Sequence, residues 1–209
     1  MPVVADRLFV LLATVWLGMQ AWRDGAVGLV SGLAGVVLLF GSVLAHEIGH
    51  AMVAQRLRVR VRQITLNIFG GVTLFERAGL TPRVDLFVSL GGPIASLMLS
   101  GLCAFLAAVT GSTLLALVSG ANLALGVFNM IPAFPLDGGR VLRAFLEMRL
   151  GVLRGSLIAL RVATVLAWVM LAGAVVMREG GLGVVAVLLL MMQRQERARL
   201  ASMVEVAWR

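Results

Sequence analysis

The sequence predicts an all-α polytopic membrane protein of about six transmembrane helices, with a small β-hairpin or strand element after the second span. Three observations predict it. Of 209 residues, 60% are hydrophobic and 13% charged, whereas soluble domains run to about 45–50% and about 25%. The apolar residues gather in several long runs, and a run of about 20 residues is what a helix needs to cross a bilayer. The charge lies mostly between those runs, and all 18 basic residues are arginine, giving a net charge of +8.

Taken in order, residues 8–22 read as a short first span. Their basic flank is weak and no small-residue cleavage box follows, so a signal peptide fits poorly. Arg23, Asp24 and Gly25 turn the chain into a second span, 26–55. In 56–76, arginine alternates with apolar residues at 56, 58, 60 and 62, which is strand period, and Gly70-Gly71 makes a natural turn. A third span, 84–109, is broken early by Gly91-Gly92-Pro93, and residues 110–113 turn into a fourth, 114–131. The segment "NMIPAFPLDGGR", 129–140, holds two prolines and two glycines and cannot continue a regular helix. Gly138 and Gly139 allow a sharp turn there, with Arg140 anchoring it at the interface. A fifth span covers 156–177, a turn 178–181, a sixth span 182–193, and an amphipathic or frayed end closes the chain. Six spans use nearly the whole length, so residues 1–209 read as one membrane-embedded domain.

With six spans both ends share a side. That side takes Arg7, six arginines from 56 to 83, five from 140 to 161 and four in the tail; the other takes Arg23 and Arg178. Sixteen against two places both termini in the cytoplasm by the positive-inside rule. The same placement argues against nucleic acid as the partner of the basic excess: the arginines set topology and meet anionic headgroups of the lipid bilayer. The single cysteine, Cys103, excludes an intrachain disulfide and a thiolate cluster and reads as a small apolar filler.

The chain's only two histidines, His46 and His50, flank Glu47 in "HEIGH". At i and i+4 they share one helix face, where two imidazoles can hold one zinc ion and the glutamate can act as a general base on its water. Ionisable groups at membrane depth are costly and mark function. A third ligand is needed. With no third histidine and a mid-span cysteine, it should be a carboxylate. Asp137 follows an apolar run inside the broken segment, on the same side as the histidines, and broken backbone at membrane depth lines a cavity or is buried in protein. Asp85 is the alternative, otherwise a span-start carboxylate facing water. Asn129 could support an oxyanion or substrate carbonyl, or simply bond between helices. Asn122 reads as structural.

"HEIGH" ending the second span, "GGPIAS" in the third and "NMIPAFPLDGG" after the fourth together resemble the site-2 protease family of intramembrane zinc metalloproteases. The resemblance implies zinc on His46, His50 and Asp137, Glu47 as general base and Asn129 in support of the transition state. It implies hydrolysis of peptide bonds in or near transmembrane segments of membrane-anchored substrates, often releasing transcription regulators, in a bacterial or archaeal cell membrane. It also implies a minimal core, without the PDZ insert of one subgroup or the CBS domain of another. Where that family often carries asparagine after G-P-x-x, this chain has Ser96, which removes an amide from any substrate-holding role. Two other classes fit less well. A metal transporter would spread ligands along a path, whereas both histidines sit at one depth. An inert scaffold would have no use for Glu47.

Overall fold

The computed structural model describes residues 2–67, 70–75 and 80–207. The elements run β1 (Val3–Ala5), α1 (Arg7–Arg56), β2 (Val61–Asn67), β3 (Gly70–Phe75), α2 (Pro82–Thr110), α3 (Thr113–Asn129), α4 (Asp137–Leu150), α5 (Val152–Met177) and α6 (Gly180–Ala207). They fall into two compact units, one of residues up to 75 together with 91–127, the other of residues 80–90 and 128–207.

In the first unit, α1 is two helices joined at Gly25, whose φ of +59° and ψ of −137° only glycine adopts at low cost. The chain doubles back there. A Cβ on Gly28 would lie 2.9 Å from Asp24 Cβ, and one on Gly35 would lie 3.1 Å from the Trp16 ring. Missing side chains let the two legs approach closely, as small residues do between membrane helices. These legs are the expected spans 8–22 and 26–55.

The strand-like stretch is a sheet of order β1-β2-β3. β2 and β3 are antiparallel, with Ile64 opposite Thr73 and Leu66 opposite Gly71. β1 pairs parallel to β2, Val3 opposite Ile64, and nothing in a three-residue strand announced it. Two expectations need correcting. Gly70 and Gly71 are not the turn: both are paired within β3. Residues 68, 69 and 76 of the expected stretch lie outside the described residues. Nor does strand geometry begin at Arg56, because α1 extends to that residue and Arg58 takes a left-handed φ of +59° before β2 starts. Fully buried Ile64 packs β2 onto Ala51 of α1, with Phe40, Val43 and Leu44 around it. The sheet therefore rests on the end of α1 that carries the histidines. Asn122 donates to Ser42 Oγ at 2.9 Å, tying α3 to α1, the structural role expected of it. Cys103 is buried.

The second unit is built on an alanine row, Ala159, Ala163 and Ala167 of α5, which packs with Leu160, Leu189, Ala133 and Phe134. Here α4 was not expected. Gly138 and Gly139 open this helix instead of making a sharp turn. A Cβ on Gly139 would lie 2.8 Å from the Ala133 carbonyl carbon, and one on Gly138 would lie 2.6 Å from Ile131 O. The glycines let the first turn of α4 lie against the broken segment before it. The expected sixth span also runs on: α6 continues to Ala207, because its tail is rich in good helix formers and lacks glycine and proline.

Among the described residues, three stretches are long and apolar enough to cross a membrane: Ala13–Arg56, Pro82–Thr110 and Val152–Met177. α3 is apolar but shorter, at 17 residues. Large apolar side chains such as Trp22, Met98, Phe105 and Val176 stand exposed on these helices, as lipid-facing residues do.

Candidate metal centre

α1 and α2 meet where neither has a side chain. A Cβ on Gly49 would lie 2.6 Å from Ala95 Cβ and would also strike the Gly91 carbonyl, and one on Gly91 would lie 2.6 Å from Gly49 O. Because the backbones touch there, the residues beside the crossing are held close. His46 and His50 are 3% and 4% exposed. Their Nε2 atoms face each other at 3.2 Å, with ring planes 82° apart. Two nitrogens bound to one tetrahedral zinc at about 2.0–2.1 Å would stand about 3.4 Å apart. The pair therefore fits a shared metal, on separation as well as on donor chemistry. Gly92 leaves the space beside them open: a Cβ there would lie 2.6 Å from His46 Nε2 and would also strike His50 Nε2.

The outer edges of both rings touch α2 one helical turn apart. His46 Nδ1 lies 2.9 Å from Ser96 Oγ, and the Gly92 N–H donates to His50 Nδ1 at 3.2 Å. Glu47 is 4% exposed. Its Oε2 accepts a 2.7 Å hydrogen bond from Thr73 of β3. Thr73 and Gly71, two residues apart, share the strand face that covers Glu47; a Cβ on Gly71 would lie 2.5 Å from Glu47 Cδ.

The remaining expected site residues belong to the second unit. Asp137 is buried at the start of α4, 3.9 Å from Arg140. Asn129 is the last residue of α3 and half-buried. Asp85 does not face water: its Oδ1 accepts from Arg140 at 2.6 Å and its Oδ2 from Arg143 at 3.4 Å. Arg143 also reaches Glu196 at 2.9 Å. Arg140 thus serves this ion-pair network and not only a membrane interface. With both oxygens engaged by guanidinium groups, Asp85 is poorly placed to be a metal ligand.

Comparison with known proteins gives the family. The model for Peptidase family M50 matches residues 34–112 and 107–177, together well over half of the sequence. The chain belongs to Peptidase family M50. Among relatives of this M50 chain, Rip3 of Mycobacterium tuberculosis is 39% identical over 170 residues, which are 77% of this chain and 43% of that protein. A protein of Methanocaldococcus jannaschii named as a zinc metalloprotease is 33% identical over 175 residues, 81% of this chain and 50% of its own. The chain thus spans about half the length of the curated relatives it matches. Among solved structures, the site-2 protease from Methanocaldococcus jannaschii aligns with a TM-score of 0.68 at 31% identity, covering 93% of this chain and 89% of that one. Family membership, the helical build and the three apolar stretches make the M50 chain an integral membrane protein. Sequence reasoning missed Thr73 and the contact Ser96 makes. A threonine two residues from a glycine in a strand is a weak signal, and Ser96 drew notice only for not being asparagine.

Proposed function

We propose that the protein is an intramembrane zinc metalloprotease that hydrolyses peptide bonds in or near transmembrane segments of membrane-anchored proteins, with residues 1–209 acting as one domain. The observation that carries the reading is the buried imidazole pair, its Nε2 atoms 3.2 Å apart, with Glu47 next to it in the chain. His46, His50 and Asp137 hold one zinc ion. The donor set is two imidazoles and a buried carboxylate in a chain with no third histidine, a composition suited to catalytic zinc.

Zinc, when bound, supplies an activated water and a polarised scissile carbonyl. Glu47 would serve as general base, holding a proton on a carboxylate oxygen and delivering it to the leaving amine. Thr73 holds the carboxylate's rotation through Oε2. Asn129 supports the oxyanion through its amide. The substrate segment must unwind, because a helix buries its peptide bonds in its own hydrogen-bond ladder. β3 lies at the edge of the sheet order among the described residues, and a peptide strand added along it would replace the bonds lost on unwinding. Both termini lie in the cytoplasm of a bacterial or archaeal cell, on the arginine distribution. The substrates are transcription regulators or their membrane anchors.

The test is a cleavage assay in detergent or liposomes with a membrane-anchored reporter, paired with metal analysis. Wild-type protein should carry about one zinc per chain and cleave. Glu47→Gln should keep the zinc and lose cleavage. Cleavage that survives this substitution would remove Glu47 from the role of base.

A further inference from the structure

We propose that Ser96 is a positioning residue for His46: its hydroxyl accepts the Nδ1–H of the ring, which leaves Nε2 unprotonated on the side facing His50. The inference rests on the zinc reading above.

The geometry is local to the α1–α2 crossing. Gly49 and Gly91 bring the helices together with no side chain between them. On this antiparallel contact, His50 lies beside Gly92 and His46 beside Ser96, so the i, i+4 spacing of one helix matches that of the other. Ser96 is completely buried, and His46 is 3% exposed. No bulk water competes for a bond of 2.9 Å between them. The two α2 contacts differ in kind. A backbone N–H only donates, so Gly92 makes His50 Nδ1 an acceptor and, without metal, leaves that ring's proton on Nε2, from where it can donate to His46 Nε2; zinc binding through His50 Nε2 must displace it. A serine hydroxyl can accept, so the Ser96 contact is the one that favours Nδ1–H on its ring. A histidine that binds metal through Nε2 needs that tautomer, and groups that fix it by accepting from the other ring nitrogen raise metal affinity about 10–100-fold.

Ser96→Ala removes the acceptor with almost no change in volume, and Ser96→Thr restores it. Zinc affinity of the full chain in detergent, measured by competition with a chromophoric chelator, is the readout. Thermal unfolding of the chelator-treated protein controls for packing. Ser96→Ala should weaken zinc binding about tenfold or more, Ser96→Thr should bind within a few-fold of wild type, and the melting midpoints without zinc should agree. Wild-type affinity in Ser96→Ala would overturn the proposal while leaving the zinc reading standing. So would equal losses in Ser96→Ala and Ser96→Thr, which would trace the effect to packing and not to the acceptor. Absence of zinc binding by the wild-type chain would instead remove the zinc reading, and this proposal with it.

Discussion

Thr73 Oγ1 donates a 2.7 Å hydrogen bond to Glu47 Oε2, so a strand residue holds the carboxylate of a helix 26 positions earlier in the chain. Hydrogen bonds to ionised groups contribute about 1.5–3 kcal/mol. Thr73→Val should lower kcat about tenfold with zinc content unchanged, and Thr73→Ser should restore most of it. A full-rate Thr73→Val enzyme would show that Glu47 needs no help from the sheet.

His46→Ala and His50→Ala should each lose most of the metal, as measured by elemental analysis of purified protein. The motive is the shared face and the 3.2 Å approach of the two Nε2 atoms. The double variant is the decisive one: if it still carries stoichiometric zinc, the ion sits elsewhere.

The two buried aspartates should separate by readout. Asp137→Asn should weaken zinc binding and abolish cleavage. Asp85→Asn should keep the zinc but lower the melting midpoint, because Arg140 and Arg143 each lose one of their carboxylate partners. Removing one member of a partly buried ion network costs about 1–3 kcal/mol when the survivors stay desolvated. Zinc lost from Asp85→Asn and kept in Asp137→Asn would reverse the assignment.

Reporter fusions should distinguish the sides of the membrane. Fusions after residue 207 and at 80–81 should report cytoplasm, and fusions at 111–112 and 179 the opposite side. The basis is sixteen arginines against two. A tail reporting outside the cytoplasm would refute the six-span arrangement.

Substrate pairing along β3 can be probed with proline, which removes one backbone donor at a time. Single prolines at Val72, Leu74 and Phe75, which leave Gly71 and Thr73 in place beside Glu47, should impair cleavage for one parity of positions, with zinc retained. Uniform activity across the series would leave the sheet as an anchor only.

The histidine pair was legible because its signal is periodic: i, i+4 on a helix needs no knowledge of what packs against it. The spans before and after Gly25 were legible for a similar reason, since length and apolarity are carried by the residues themselves. Ser96 and Thr73 were not, because their roles depend on how α2 and β3 lie against α1, and that contact is set by glycines whose effect is the absence of something. Gly138 and Gly139 misled in the same way. Two adjacent glycines read as a turn from local preference, yet here they admit a neighbouring backbone and α4 begins through them. α4 carries a mixed, partly charged face, so it offered no long apolar run to correct the reading.

The parallel pairing of Val3 with Ile64 has a consequence for membrane insertion. Two segments joined by backbone hydrogen bonds must lie at the same depth, because bilayer lipid offers no partner to a strand left alone. A helical hairpin between them that enters the bilayer must therefore return, crossing an even number of times. That parity is enforced by bonding and not by charge. In the proposed topology, a chain stripped of its arginines would lose its preference for one face of the bilayer, yet residues 3 and 64 would still emerge together.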